Sequence, residues 1–210
     1  MSTPISRFGV AASVLLLVAC EGGLQGFEGF NVTRSAPERI ELPDGLVVSG
    51  TRGWCVDTRT TRTDGETSVV VLGSCAAIAR NAFAPRPDVP GVVTVSVESE
   101  AGDVPPVDIL QGFLTSEPGR AALAHDGSAA SVQILESRRS EDLLFLHVAD
   151  RSSGRVPGAS QDYWRALFNL DGRFVTVSLV GMTERPIDEP AGFETLVAQV
   201  DSIKSANSAE

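Results

Sequence analysis

The runs "YWRALFNL" (163–170) and "RFVTVSLVG" (173–181) flank Asp171-Gly172, and no other stretch constrains the fold as much. Asp-Gly between two strand-like runs signals a two-residue type I′ turn, in which both central residues take positive φ. If these two residues make the turn, the register follows. Leu170 faces Arg173, Phe168 faces Val175, Ala166 faces Val177 and Trp164 faces Leu179. Side chains alternate along a strand. Those pairs therefore form a mostly apolar face, and Arg165, Leu167, Asn169, Phe174, Thr176 and Ser178 form a more polar one. A slip of one residue would exchange the two faces. The segment "SQDYWRAL" also fits the start of a helix over residues 160–170, so the sequence leaves strand and helix open here.

Other segments add strands. "ELPDGLVVSG" holds a Pro-Asp-Gly turn and a short strand over 46–49, "TSVVVLGSC" a second and "GVVTVSVES" a third. "SVQILES" and "DLLFLHVAD" pair across the polar "SRRSED" turn. Between these groups the period changes. Ile109, Leu110, Phe113 and Leu114 share one helical face, and Ser116 offers a cap before Glu117 and Pro118. The expectation is two short middle helices. In "DEPAGFETLVAQVDSIKSAN", Pro190 suits a first helical turn, and Phe193, Leu196, Val197, Val200 and Ile203 form one apolar stripe. The fold class is therefore α+β: a mainly antiparallel sheet packed by a C-terminal amphipathic helix and short middle helices. This order of elements loosely resembles the PsbP-like sandwich of extrinsic photosystem proteins and small bacterial lipoproteins. The likeness implies an architecture and transfers no function.

The N-terminus addresses location. Arg7 precedes an apolar run from Phe8 to Ala19, the pattern of an export signal. As a helix that run would span about 18 Å, against about 30 Å of hydrocarbon. Leu17-Val18-Ala19-Cys20 resembles the lipobox of bacterial lipoproteins. The resemblance implies removal of residues 1–19 and a covalent lipid (palmitate among its acyl chains) on Cys20. Several acyl chains would anchor it stably. Glu21 after the cysteine, where aspartate often marks inner-membrane retention, points to the outer membrane, facing the periplasm. Residues 20–39 are glycine-rich and read as the lipidated N-terminus and a tether, although Phe27 and Phe30 could instead dock. One domain over 40–206 and a disordered tail over 207–210 complete the expected organisation.

With Cys20 assigned to lipid, Cys55 and Cys75 remain as an even pair in an oxidising compartment, which favours a structural disulfide. Their spacing is not C-x-x-C, and two thiols without a nearby histidine make a poor zinc site.

The net charge of −10 excludes most phosphate-backbone binding, so no nucleic-acid partner is expected. There is no G-x-S-x-G, H-E-x-x-H, S-x-x-K or phosphate-cradling glycine loop. His147 falls on a strand face with Leu143 and Phe145, and His125 at a helix end. Asp57, Asp64 and Glu66 miss the EF-hand spacing and read as a solvated loop. No metal and no cofactor beyond the lipid is expected. The segment "HVADRSSGRVPGASQDYW" joins a loop to Arg151, Arg155, Tyr163 and Trp164, and these are the candidate ligand or partner contacts. Three functions fit. The first is a non-enzymatic envelope lipoprotein that binds a protein partner. The second is a small-molecule or ion-binding module with a pocket near the 150–163 loop. The third is a hydrolase with a non-standard triad.

Overall fold

The structure is a computed structural model that describes residues 35–98, 104–140, 142–152 and 156–208. The lipobox, Cys20, most of the tether and Arg155 lie outside the described residues.

Asp171 and Gly172 have φ of 51° and 80°, the type I′ signature. They join β8 (Ala159–Leu170) to β9 (Arg173–Met182). The pairs Leu170–Arg173, Phe168–Val175, Ala166–Val177 and Trp164–Leu179 are all formed. Residues 160–170 are strand, not helix. Trp164, Ala166 and Phe168 are at most 3% exposed and enter one core, while Tyr163 and Leu167 enter the other, the alternation of a strand covered on both faces.

The other strands assemble on this hairpin. A seven-stranded sheet runs in the order β3 (Trp54–Val56), β4 (Thr67–Ser74), β5 (Gly91–Glu98), β9, β8, β7 (Leu143–Asp150), β6 (Val132–Arg139). Every neighbouring pair is antiparallel. After β5 the chain crosses to the far edge through α2 (Val107–Thr115) and α3 (Glu117–Leu123). It then returns through successive hairpins, so that β9 closes beside β5. Ser116 caps α3 by accepting from Gly119 N at 3.3 Å. The four residues of the expected α2 face divide. Leu110 and Leu114 pack on Leu144, Leu146 and Leu167, whereas Ile109 and Phe113 stay 60% and 49% exposed. A short helix lying over one side of a sheet buries only a narrow stripe.

The other sheet face carries α4 (Glu189–Asn207) and the small hairpin of β1 (Arg39–Glu41) and β2 (Val47–Ser49). The stripe Phe193, Leu196, Val197, Val200 and Ile203 meets the valine rows of β5 and β9 in one core. Gly192 lies against the Trp164 indole, and a Cβ built there would sit 2.2 Å from Trp164 Cε2. Two helix amides hold β2. Asn207 accepts from Val47 N and donates to Val47 O, both at 2.8 Å. Gln199, fully buried, donates to Ser49 O at 2.6 Å and accepts from Thr51 N at 3.2 Å. Asn207 is thus a working part of the helix, one residue past the expected domain limit. At the far end, Arg173 pairs with Asp44 at 2.7 Å and ties the turn of the small hairpin to that of β8–β9.

Cys55 and Cys75 form a disulfide that joins β3 to the start of α1 (Cys75–Ile78). Their residues are 1% and 3% exposed. The bond closes the loop in which the arginine-threonine segment runs along β4. Asp57 N donates to Val71 O at 2.8 Å, and Arg62 exchanges two backbone bonds with Val69.

Two outcomes follow. Reducing the disulfide should lower the unfolding free energy by about 3 kcal/mol in the chain-entropy model, read as a lower urea midpoint with reductant; an unchanged midpoint would contradict it. Gly192→Ala should destabilise by about 1–3 kcal/mol despite better helix propensity. A Trp164→Leu background should remove most of that cost in the same urea titration.

Candidate functional site

The two faces of the sheet are not equally covered. On the α4 side, Val70, Leu72, Val93, Val95, Val175, Val177 and Leu179 are 0% exposed. On the other side α2 and α3 cover β6 and β7 and reach β8 through Tyr163 and Leu167. Beyond β8, Val69, Val71, Val92, Thr94, Ser96, Thr176 and Ser178 remain half-buried on one continuous surface. Their register neighbours run Val71, Thr94, Ser178, Arg165 in one row and Val69, Ser96, Thr176, Leu167 in the next.

A concavity opens at each end of the α2–α3 unit. One, of about 530 Å³, lies between the start of α2 and the β8–β9 turn and includes Arg139, Asp142, Leu167 and Phe174. Asp142 is already committed to Lys204 at 2.7 Å, and that bond holds its carboxyl below the ordinary range. The second, of about 360 Å³, lies between the end of α3 and β8. Leu123, Ala124 and His125 form one wall. Tyr163, Arg165, Ser178 and Val180 form the floor, and Asp150, Val156 and Ser160 form the rim.

Each polar group in this second cleft has a traceable position. The Tyr163 hydroxyl donates to Leu123 O at 3.1 Å, so β8 holds the end of α3 from below. Burial pushes the phenol above its ordinary range; Arg165 opposes that shift and Asp150 adds to it. Arg165 Nε donates to Ser178 Oγ at 3.1 Å, and its guanidinium carbon lies 5.0 Å from the Tyr163 ring centroid. Asp150, 5% exposed, accepts from His125 N at 3.0 Å, from Ser152 N at 2.8 Å and from the Ser152 hydroxyl. This carboxylate is a structural acceptor joining the ends of α3 and β7.

The expected contact residues do not all meet. Tyr163 lines the cleft. Arg151 is exposed just beyond β7, held through its backbone N to Ser131 O at 2.8 Å. Trp164 points to the opposite face, 3% exposed beneath Gly192, because adjacent strand residues alternate. It stacks on His147 with centroids 4.6 Å apart and planes at 7°. Both His147 ring nitrogens and Trp164 Nε1 are buried without a hydrogen bond among the described residues. They border a gap of about 10 Å³, close to the volume one water requires. Sequence reasoning placed Arg165 on the polar face but missed it as a site residue. Its two-residue offset from Tyr163 and its register opposite Ser178 were the available signals.

Neither histidine side chain hydrogen-bonds a serine or an acid among the described residues. For metal-ligand side chains, the described residues bring Glu38 within 4.8 Å of Cys55 and Cys75, but those sulfurs are bonded to each other. Asp57 instead accepts from Arg59 N at 3.1 Å and turns its own loop.

Tyr163 is the chain's single tyrosine, so phenolate absorbance reports this one buried group. A folded-state pKa above the unfolded value of about 10 means that stability is present below that pH and is lost as pH rises past it. The phenolate band should therefore emerge at higher pH in the folded protein than in denaturant; coincident titrations would contradict the burial. No protein-family model matches this chain, and no curated protein matches it.

Proposed function

We propose that this chain is a lipid-anchored envelope protein whose folded domain is a non-enzymatic binding module for a protein partner. The anchor would be the lipid on Cys20, in the outer membrane that Glu21 favours, with the domain facing the periplasm. Support for the anchor is the lipobox pattern Leu17-Val18-Ala19-Cys20 behind a short apolar run. No helix among the described residues is long and apolar enough to cross a membrane.

The observation that carries the binding reading is the one-sided covering of the sheet. Helix α4 and the β1–β2 hairpin close one face, while the other face stays half-exposed from β4 to β9. That surface is built from valine, threonine and serine on a rigid sheet. Such side chains lose little rotamer entropy on being covered. At the far edge, Arg138, Arg139 and the irregular register between Ile134 and Glu136 disfavour strand addition to β6.

The test places a photo-crosslinking residue at Thr94, at Thr176 and, on the outer side of α4, at Ala198 in living cells. The expected result is one discrete adduct shared by Thr94 and Thr176 and absent from Ala198. Equal adducts from all three positions, or none, would refute the reading. In parallel, a clickable palmitate analogue should label the natural chain and not Cys20→Ser; an unlabelled natural chain would refute the anchor.

A further inference from the structure

We infer that the cleft between the end of α3 and β8 is a binding site for a monocarboxylate with a small apolar substituent, held by Arg165. Among the described residues three arginines are half-buried: Arg120, Arg165 and Arg173. Arg173 meets Asp44 at 2.7 Å, and Arg120 Nη1 donates to Thr115 O at 2.7 Å. Arg165 is different. Its Nε is taken by Ser178 Oγ and its plane lies near the Tyr163 ring, so its orientation is set. Its two terminal nitrogens meet no acceptor among the described residues, and no carboxylate lies within ion-pair distance. The chain has 27 acids against 17 bases, yet none of the described acids forms an ion pair with Arg165.

The geometry selects the ligand. With Nε occupied, the free end of the guanidinium is the Nη1–Nη2 fork, which matches the two oxygens of a carboxylate. A point-charge site would not need this pre-set plane. Leu123, Ala124, Val156 and Val180 make up the apolar part of the lining, beside His125, Ser160 and Gln161, so a small apolar group fits the rest of the ligand. A volume of about 360 Å³ falls at the small end of ligand pockets. Among the described lining residues Arg165 is the single Arg or Lys, which matches one negative charge better than the two of phosphate or sulfate.

A free small acid and the C-terminal carboxylate of a peptide share this chemistry. The site does not depend on a partner covering the open sheet face: crosslinking at Thr94 could fail and the acid still bind. The experiment is calorimetric titration of the full lipidated chain with 4-methylpentanoate, its amide, inorganic phosphate, and a leucine-ending tripeptide with a free or an amidated C-terminus. Both carboxylates should bind, and their amides and phosphate should not. If the free tripeptide binds more tightly than the acid, the source is a chain terminus; the reverse order points to a free metabolite.

Arg165→Gln and Arg165→Lys should each weaken binding by about tenfold or more. Ser178→Ala, which frees Nε and loosens the plane, should weaken it by a smaller factor. All three should retain the natural unfolding midpoint; if one does not, the comparison of each carboxylate with its amide on the natural chain decides. Arg52→Gln, at an exposed position outside the cleft, is the control and should keep binding within about threefold. Equal binding by Arg165→Gln, equal binding of the amides or of phosphate, or no binding of either carboxylate at millimolar concentration would overturn the site.

Discussion

The two positive φ angles at Asp171 and Gly172 set the side on which every residue of β8 and β9 lies. A type I′ turn twists in the sense the flanking strands require, so it fixes register without strain in an Asp-Gly pair. From that register Trp164, Ala166 and Phe168 enter one core, and Tyr163, Arg165 and Leu167 enter the other layer. β8 and β9 lie at the centre of the sheet, paired outward to β7 and β5. An error of one residue here would place a tryptophan in the cleft and an arginine beneath α4. Burying that arginine without an acid would cost several kcal/mol, so the alternative register is strongly disfavoured.

The α4 layer converts this parity into a closed face. The flat contact of Gly192 on Trp164 lets the helix approach closely enough for Val200 and Ile203 to reach the valine rows. Gln199 and Asn207 then satisfy backbone groups of β2 that have no strand on that side. Each such buried group would cost about 1–3 kcal/mol if left unpaired. The small hairpin is therefore held by side-chain amides from the helix and by Arg173 at its turn. At the β3 edge, the disulfide supplies what this three-residue strand cannot supply by pairing alone.

Much of this was legible in the residues. The hairpin register, the α4 stripe, the Ser116 break between the middle helices and the cysteine pair each follow from a local rule with a fixed period or spacing. What escaped has a common cause. The exposure of Ile109 and Phe113, the role of Gln199 and the amide pair of Asn207 depend on what another element places opposite them. Gln199 lies inside an apolar stripe and looks like a pattern fault until Ser49 and Thr51 are seen beside it. Tyr163 and Trp164 are adjacent in sequence, and a linear reading groups them. Strand geometry separates adjacent residues by the full thickness of the sheet.

That separation also explains why the cleft and the hydrophobic core can coexist on one strand. Trp164 and His147 stack in the α4 layer and bury polar nitrogens with no partner among the described residues, a cost accepted for packing. One residue away, Arg165 keeps a fork open in a half-buried cleft while its Nε and its ring contact hold it still. The Tyr163 hydroxyl fixes the neighbouring wall by binding Leu123 O. Preorganisation of this kind lowers the ordering cost of a later contact. The same covered face that stabilises the domain through α4 thus gives the opposite side a rigid floor, on which a few polar groups can be set without depending on the loops around them.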